Sequence, residues 1–186
     1  MKRFCMYGMV NQAIKEMVQE VLGPDSWQEV CQNINRNSDD FELFNQFDDQ
    51  ITLDLVTQIC KTSGMRPEKL LEAFGVYWIK FAQNSDYSAI LSTFATSAFD
   101  LIHSLNNLHE RLELTFSNLK APAFEVIEHN DKMMKVNYYS DRAHMPLEFF
   151  VKGLFIGIFK MFNQECKVEM IATLGSAKAT FVIEQI

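Results

Sequence analysis

The hydrophobic period of this 186-residue chain changes at Pro122. Before Pro122 the apolar residues recur at helical spacing, whereas over 124–127 and 134–138 they alternate as in half-buried strands of a hairpin. Proline cannot continue a helix, because it has no backbone N–H to donate. Helices followed by a small antiparallel sheet make up the α+β class, which is therefore the fold class that the sequence predicts.

Helical patterns cover most of the chain before Pro122, and the stretch 35–50 is polar and expected to be rich in loops. We expect one domain with a helical lobe, about 1–64, and an α+β lobe with a small antiparallel sheet and packed helices, about 65–186. The predicted elements besides the hairpin are helices at 9–21, 26–34, 53–60, 67–81, about 87–116 and 149–162, and strands at 166–170 and 180–183 joined around Gly175.

Charge and cysteine spacing exclude several classes of function. The formal net charge is −7 at pH 7, and an acidic chain repels phosphate, so we expect no nucleic-acid partner. No run of 18 apolar residues is present, so we expect no membrane span. Cys5, Cys31, Cys60 and Cys166 form no CxxC pair, which argues against a cysteine zinc site and a disulfide framework. Reduced thiols are typical of a cytoplasmic protein, the location that we expect.

His109 is the histidine best placed to bind a ligand. It has apolar neighbours three and four residues away on its helix, so it points into the apolar stripe. His103 projects from the opposite side, and His129 and His144 fall in a turn and a connecting segment. A histidine on an apolar face is commonly a hydrogen-bonded core residue. On a rigid helix among Phe-rich and Met-rich neighbours, it is also a suitable axial ligand for haem iron.

Tyr138, Ser140 and Arg142 alternate, so a strand would place all three on one face. That face would present a phenol, a hydroxyl and a guanidinium, whose planar fork suits carboxylates. The set matches the two propionates of a haem. The alternative interpretation is a strand that ends in a surface arginine.

Taken together, these residues resemble the H-NOX family, the haem nitric oxide/oxygen binding domains that include the haem domain of soluble guanylate cyclase. The most specific part is Tyr138-x-Ser140-x-Arg142 combined with Pro122 and a histidine about thirty residues upstream. The resemblance runs essentially end to end, and its segments are Met6-Tyr7-Gly8-Met9-Val10-Asn11, Ala73-Phe74-Gly75, Asn107-Leu108-His109, Ala121-Pro122-Ala123-Phe124 and Gly153-Leu154.

The resemblance implies a haem b held between the two lobes. It makes His109 the axial iron ligand. It implies that Tyr138, Ser140 and Arg142 hold the propionates, and that Pro122 presses on the porphyrin.

The family also implies how the gas is selected. Its oxygen-binding members have a distal tyrosine that donates a hydrogen bond to O₂, but the segment 146–162 contains no tyrosine and the matching position is Phe150. Met9, Phe74 and Trp78 would complete an apolar pocket. Because such a pocket gives O₂ no donor, we expect the chain to bind NO and CO and to exclude O₂.

Several alternatives stay open at this point. The connection before the distal helix is longer than is usual in the family, and a shift of register would put Phe149 in the place of Phe150. Tyr77 or His144 would be the distal polar group if the chain were a haem enzyme or an O₂-binding haem protein. A non-haem binding module is the third class.

The resemblance implies a signalling mechanism as well. NO bound opposite His109 would weaken the bond between iron and histidine, and release of His109 would free its helix and move the lobes. In family members of this type the partner that responds is a histidine kinase or a cyclic-di-GMP enzyme. Since no catalytic domain follows Ile186, we expect a sensor that acts in trans and is not an enzyme.

Overall fold

The computed structural model describes residues 5–85, 88–116, 119–142, 144–173 and 175–186, without the side chains of Ile90, Ser92 and Phe94. The chain forms two compact units, one up to Leu70 and one over Leu71–Ile186. The mixture of helices and antiparallel sheets confirms the predicted α+β class. Over the described ranges, no helix is both long enough and apolar enough to cross a membrane.

The first unit contains helices and a two-stranded sheet. Its elements are β1 (Cys5–Tyr7), α1 (Gly8–Leu22), α2 (Ser26–Asn33), β2 (Gln46–Asp48) and α3 (Asp49–Ser63). Gly23 and Gly64, both at positive φ, directly follow the last residues of α1 and α3. The antiparallel pair of β1 and β2 was not predicted, and β2 lies in the stretch expected to be loop. Strands of three residues are too short to show an alternating pattern.

The region from α4 to Pro122 contains more separate helices than the sequence predicts. α4 (Pro67–Gln83) begins at the predicted proline. The single helix expected over about 87–116 is wrong, because the described residues form α5 (Ser88–Phe94), α6 (Ala98–His103) and α7 (Leu105–Thr115), and Tyr87 lies outside them. The Ser97 side chain accepts a hydrogen bond from the Asp100 N–H, which starts a new helix across a continuous hydrophobic pattern.

The second unit is completed by an antiparallel sheet of order β3–β4–β6–β5 with one further helix. Its elements are β3 (Ala123–His129), β4 (Met133–Tyr139), α8 (Leu147–Met161), β5 (Cys166–Ile171) and β6 (Ala179–Gln185). All of them were predicted, with ends that differ by a few residues. Phe155 and Phe159 of α8 are fully buried in one core with Val136 and Phe181 of the sheet.

Two glycines let α4 and α8 approach each other closely. A Cβ atom at Gly75 would lie 2.0 Å from the carbonyl oxygen of Phe150, and one at Gly153 would lie 1.9 Å from the carbonyl oxygen of Glu72. The atoms in the way belong to the backbone, so neither position has room for a side chain. This contact sets the distance between the side chains that the two helices carry.

Candidate functional site

His109 lies on α7, half-buried, with its Nδ1 3.1 Å from the carbonyl oxygen of Pro122. A carbonyl oxygen only accepts, so Nδ1 carries the hydrogen in this bond and Nε2 keeps its lone pair. Histidines that ligate metals commonly donate their other ring N–H to such an acceptor, which fixes the tautomer and the ring orientation. The geometry therefore suits His109 to bind iron through Nε2.

Burial lowers the pKa of the His109 imidazole below its usual value of 6.5. The hydrogen bond to Pro122 and the charge of Glu113 act in the opposite direction and are outweighed. The net shift favours the neutral imidazole at neutral pH, which is the form that has a lone pair for a metal.

Asn106, three residues before His109, ties α7 to β3. Its Nδ2 donates to the Phe124 carbonyl oxygen at 2.7 Å, and its Oδ1 accepts from the Phe124 N–H at 3.0 Å. β3 is an edge strand, so this pair of bonds occupies backbone groups that have no neighbouring strand on that side. Asn106 was not singled out from the sequence, although its spacing from His109 puts both on the same face of a helix.

Tyr138, Ser140 and Arg142 are brought together, but the prediction that they share a strand face is wrong. β4 ends at Tyr139, so Ser140 and Arg142 follow the strand. The Arg142 N–H donates to the Ser140 Oγ at 3.2 Å, a local bond that competes with extended backbone. Ser140 and the charge of Arg142 both lower the pKa of the Tyr138 phenol, which places the three side chains near one another. A turn, and not strand alternation, therefore groups the three residues.

Arg142 is buried, and its Nη1 donates to the Lys120 carbonyl oxygen at 2.7 Å. The interpretation as a surface arginine is therefore wrong. Burial also raises the pKa of the Tyr138 phenol; the Ser140 hydrogen bond and the Arg142 charge lower it, and the Glu148 charge raises it. A protonated phenol, a hydroxyl and a buried guanidinium together make a donor set for carboxylates.

Phe74, Trp78 and Phe150 form an aromatic cluster where α4 meets α8. The ring centroids of Phe74 and Phe150 are 5.3 Å apart, and Trp78 lies 6.2 Å from each of them. Trp78 and Phe150 also pack against the core of the second unit. Three of the predicted distal residues thus contact one another, while Met9 lies half-buried on α1 of the first unit.

Tyr77 and His144, the two candidates for a distal polar group, differ in their exposure. The Nζ of Lys80 is 5.3 Å from the centroid of the half-buried Tyr77 ring, and His144 is exposed. His103 is exposed, and the prediction that His129 lies in a turn is wrong, because His129 is the last residue of β3. The Nε2 of His103 is 3.2 Å from the Nδ1 of His129. Among the residues that the structure describes, no group of three or more His, Cys, Asp and Glu side chains could hold a metal ion.

The four cysteines differ in how deeply they are buried. All four fall in the described part of the chain, and none of them forms a disulfide. Burial raises the pKa of the Cys31 thiol to about 12 and that of Cys166 to about 11. Both thiols therefore stay protonated at neutral pH, and a protonated thiol is a poor nucleophile and a poor metal ligand.

The residues of the second unit fit a haem. His109 offers a neutral nitrogen to iron, the aromatic cluster offers apolar walls, and the residues grouped at Arg142 offer donors to carboxylates. Pro122 is half-buried, and its carbonyl oxygen is the acceptor that orients the His109 ring.

A family model described as haem-NO-binding matches residues 7–170. The chain belongs to this family. The match covers nearly the whole chain and confirms the resemblance predicted from the motifs. Domains of the haem-NO-binding family are haem-based gas sensors, which signal to partner domains.

Curated relatives of the chain are soluble guanylate cyclases. The chain is 24% identical over 193 residues to soluble guanylate cyclase gcy-35 of Caenorhabditis elegans, covering 97% of this chain and 28% of that protein. It is 39% identical over 75 residues to guanylate cyclase soluble subunit beta-2 of Rattus norvegicus, covering 40% of this chain and 11% of that protein. The chain spans 21% to 28% of the length of the first cyclases that it matches.

Solved structures share the fold over nearly the whole chain. An H-NOX protein from S. oneidensis in the Fe(II)NO ligation state has a TM-score of 0.84 at 16% identity, covering 97% of this chain and 99% of that one. An oxygen-binding H-NOX domain, in its oxygen complex, has a TM-score of 0.79 at 17% identity, covering 97% and 95%. Because similar structures hold different gases, the fold alone does not select the gas.

Proposed function

We propose that this chain is a haem-based sensor that binds NO and CO, excludes O₂ and signals to a separate partner protein. The observation that carries the proposal is the bond from His109 Nδ1 to the Pro122 carbonyl oxygen, which leaves Nε2 as a neutral ligand. The cofactor that we propose is haem b, whose ferrous iron would supply the binding site for the gas.

The chain's own side chains would hold this cofactor by two kinds of contact. His109 would bind the iron through Nε2. Tyr138, Ser140 and Arg142 would donate hydrogen bonds to the two carboxylates, and Pro122 would press on the ring from the His109 side. The burial of Arg142 favours this role, since a hydrogen bond from a guanidinium to a carboxylate is stronger away from water.

We propose that Phe74, Trp78 and Phe150 set the choice of gas. The two phenyl rings have no hydrogen-bond donor, and the indole N–H of Trp78 is the single donor of the three clustered side chains. Bound O₂ gains from a donor far more than NO does, so a wall made mostly of hydrocarbon penalises O₂. His144 is exposed, and the ammonium of Lys80 packs over the Tyr77 ring. Both observations favour a sensor that excludes O₂ over an O₂-binding protein or a haem enzyme.

We propose that α7 carries the signal. Its bonds to the 122–124 segment come from His109 and Asn106, so a change in the position of His109 would alter the contact of α7 with β3. A partner that binds one position of α7 more tightly than the other would shift the equilibrium between the two positions. The partner classes that we propose are a histidine kinase and a cyclic-di-GMP enzyme, acting in the cytoplasm, where reduced thiols persist.

The test is visible spectroscopy of the purified protein, reduced without air, before and after addition of NO, with separate samples given CO and air. We expect the spectrum of ferrous haem, a shift with NO and with CO, and no stable O₂ complex. A stable O₂ complex would contradict the proposed selectivity. A colourless protein that takes up no added haem would contradict the proposal as a whole.

A further inference from the structure

Lys178, immediately before β6, joins three segments around Arg142. Its backbone N–H donates to the carbonyl oxygen of Tyr138 at 2.8 Å, near the end of β4. Its Nζ donates to the carbonyl oxygen of Arg142 at 2.8 Å and to that of Met145. The same Nζ lies 3.6 Å from the Oε2 of Glu148 on α8. The Nζ therefore makes hydrogen bonds to two backbone carbonyl oxygens and an ion pair with one carboxylate.

The backbone of Arg142 is held on both sides by these contacts. Its N–H donates to the Ser140 Oγ at 3.2 Å, and its carbonyl oxygen accepts from Lys178 and from the Met145 N–H, the latter at 3.2 Å. Bonds at both backbone groups fix the direction of the bond from Cα to Cβ. That direction limits where the guanidinium can reach.

Lys178 is also the cation beside Glu148. The side chains of the pair are 17% and 25% exposed, and the Glu148 Oε2 has no hydrogen-bond partner among the described residues. The Glu148 charge raises the pKa of the Tyr138 phenol, so the carboxylate acts on the same cluster of donors. Without Lys178, this carboxylate would repel an anionic ligand and would attract the Arg142 guanidinium to itself.

We propose that Lys178 is a positioning residue for carboxylate binding: it holds the turn at Arg142 and neutralises Glu148, so that the Glu148 carboxylate neither repels the carboxylates of the cofactor nor draws the guanidinium away from them. This inference rests on the proposed function, in which Arg142 binds those carboxylates. Lys178 acts through Arg142 and not by direct contact, because its own donors point to protein oxygens.

The experiment compares two ligands of the apoprotein, haem and haem dimethyl ester, by titration followed through visible absorption. The ester has the same ring and iron but no carboxylate charge. We expect the protein to prefer haem. In Lys178→Met the preference should fall about tenfold, equivalent to about 1.4 kcal/mol, because affinity for haem falls while affinity for the ester stays the same. Lys178→Arg, which keeps the charge and the donors, should keep most of the preference.

Lys152→Met is the matched control. It removes another half-buried ion pair, with Glu72 at 3.0 Å and side chains 25% and 22% exposed, and it should leave the preference unchanged. If Lys178→Met does not fold, Lys178→Gln gives the same comparison, since it keeps N–H donors without the charge.

The outcomes separate the two proposals. An equal loss of affinity for haem and for the ester would show that Lys178 only supports the fold, and it would overturn the inference, as would an unchanged preference in Lys178→Met. An unmodified protein that binds both ligands equally would overturn the role of Arg142 and with it that of Lys178. An unmodified protein that binds neither would instead overturn the proposed function.

Discussion

The His109 side and the Phe150 side of the proposed haem site are held in place by different forces. His109 and Asn106 are held to the 122–124 segment by hydrogen bonds of 3.1, 2.7 and 3.0 Å. Phe74, Trp78 and Phe150 are held by the close approach of α4 and α8, where backbone meets backbone. Hydrogen bonds orient a side chain and can be broken one at a time, whereas closely packed helices move only as rigid bodies. We therefore expect the His109 side to respond to a ligand and the aromatic side to select it.

Removal of the His109 imidazole should have the largest effect. His109→Gly should lose haem on desalting, because the nitrogen ligand is absent, and should regain it when imidazole is added. Visible absorption measures both steps. His103→Gly, which removes an exposed histidine of α6, should retain haem. A His109→Gly protein that kept haem without imidazole would remove His109 from the site.

The aromatic side should be sensitive to a side chain added at Gly75. Gly75→Ala places a methyl group against the Phe150 carbonyl and should destabilise the protein by about 1–3 kcal/mol, because the helices must separate. Urea unfolding measures the free energy. Ala73→Ser changes an exposed position of the same helix and should have little effect. Equal stability of the two variants would mean that the close approach is not what holds the aromatic cluster.

A hydroxyl on the aromatic side should change the gas selectivity. Phe150→Tyr should raise O₂ affinity by about tenfold or more, since a new donor could reach bound O₂. Spectra of the ferrous protein in air measure it. Phe149→Tyr should have no such effect in the predicted register, and the reverse result would place Phe149 in the pocket. If Trp78→Phe alone changed O₂ affinity, the indole N–H would be the relevant group.

Loss of the Asn106 bonds should have a smaller effect. Asn106→Ala should cost about 1 kcal/mol, because Asn106 is exposed and water can replace its two bonds to Phe124. Unfolding by urea and the rate of haem loss measure the change. Asn107→Ala, at the next exposed asparagine of α7, is the control. Identical behaviour of the two variants would show that Asn106 does not position His109.

The smallest effect should be a dependence of apoprotein stability on pH. The pKa of His109 is lower in the folded than in the unfolded state, so the unfolded chain binds the proton more readily. Stability from this group is therefore full above its unfolded pKa of about 6.5 and is lost as pH falls below it. Melting temperatures across that range should fall less steeply for His109→Gln. An equal dependence of melting temperature on pH in the two proteins would contradict the lowered pKa of His109.

The parts of the fold that were predicted have long and regular patterns. α8 is apolar over most of its length, and β4 and β6 alternate or are continuously apolar, so periodicity located them. The break between α5 and α7 was missed because the hydrophobic pattern continues across Ser97, where a new helix begins. The pair of β1 and β2 was missed because each strand has three residues.

By itself the sequence determined the family, the α+β class and the candidate ligands, because helix spacing and the Tyr138-x-Ser140-x-Arg142 motif are local properties of the chain. Only the tertiary structure decided how those ligands are held. The bond from His109 to Pro122 joins residues 13 apart, that from Asn106 to Phe124 joins residues 18 apart, and that from Lys178 to Arg142 spans 36. Side-chain bonds over such separations leave no periodic signal in the sequence, since they depend on where the chain returns after it has folded.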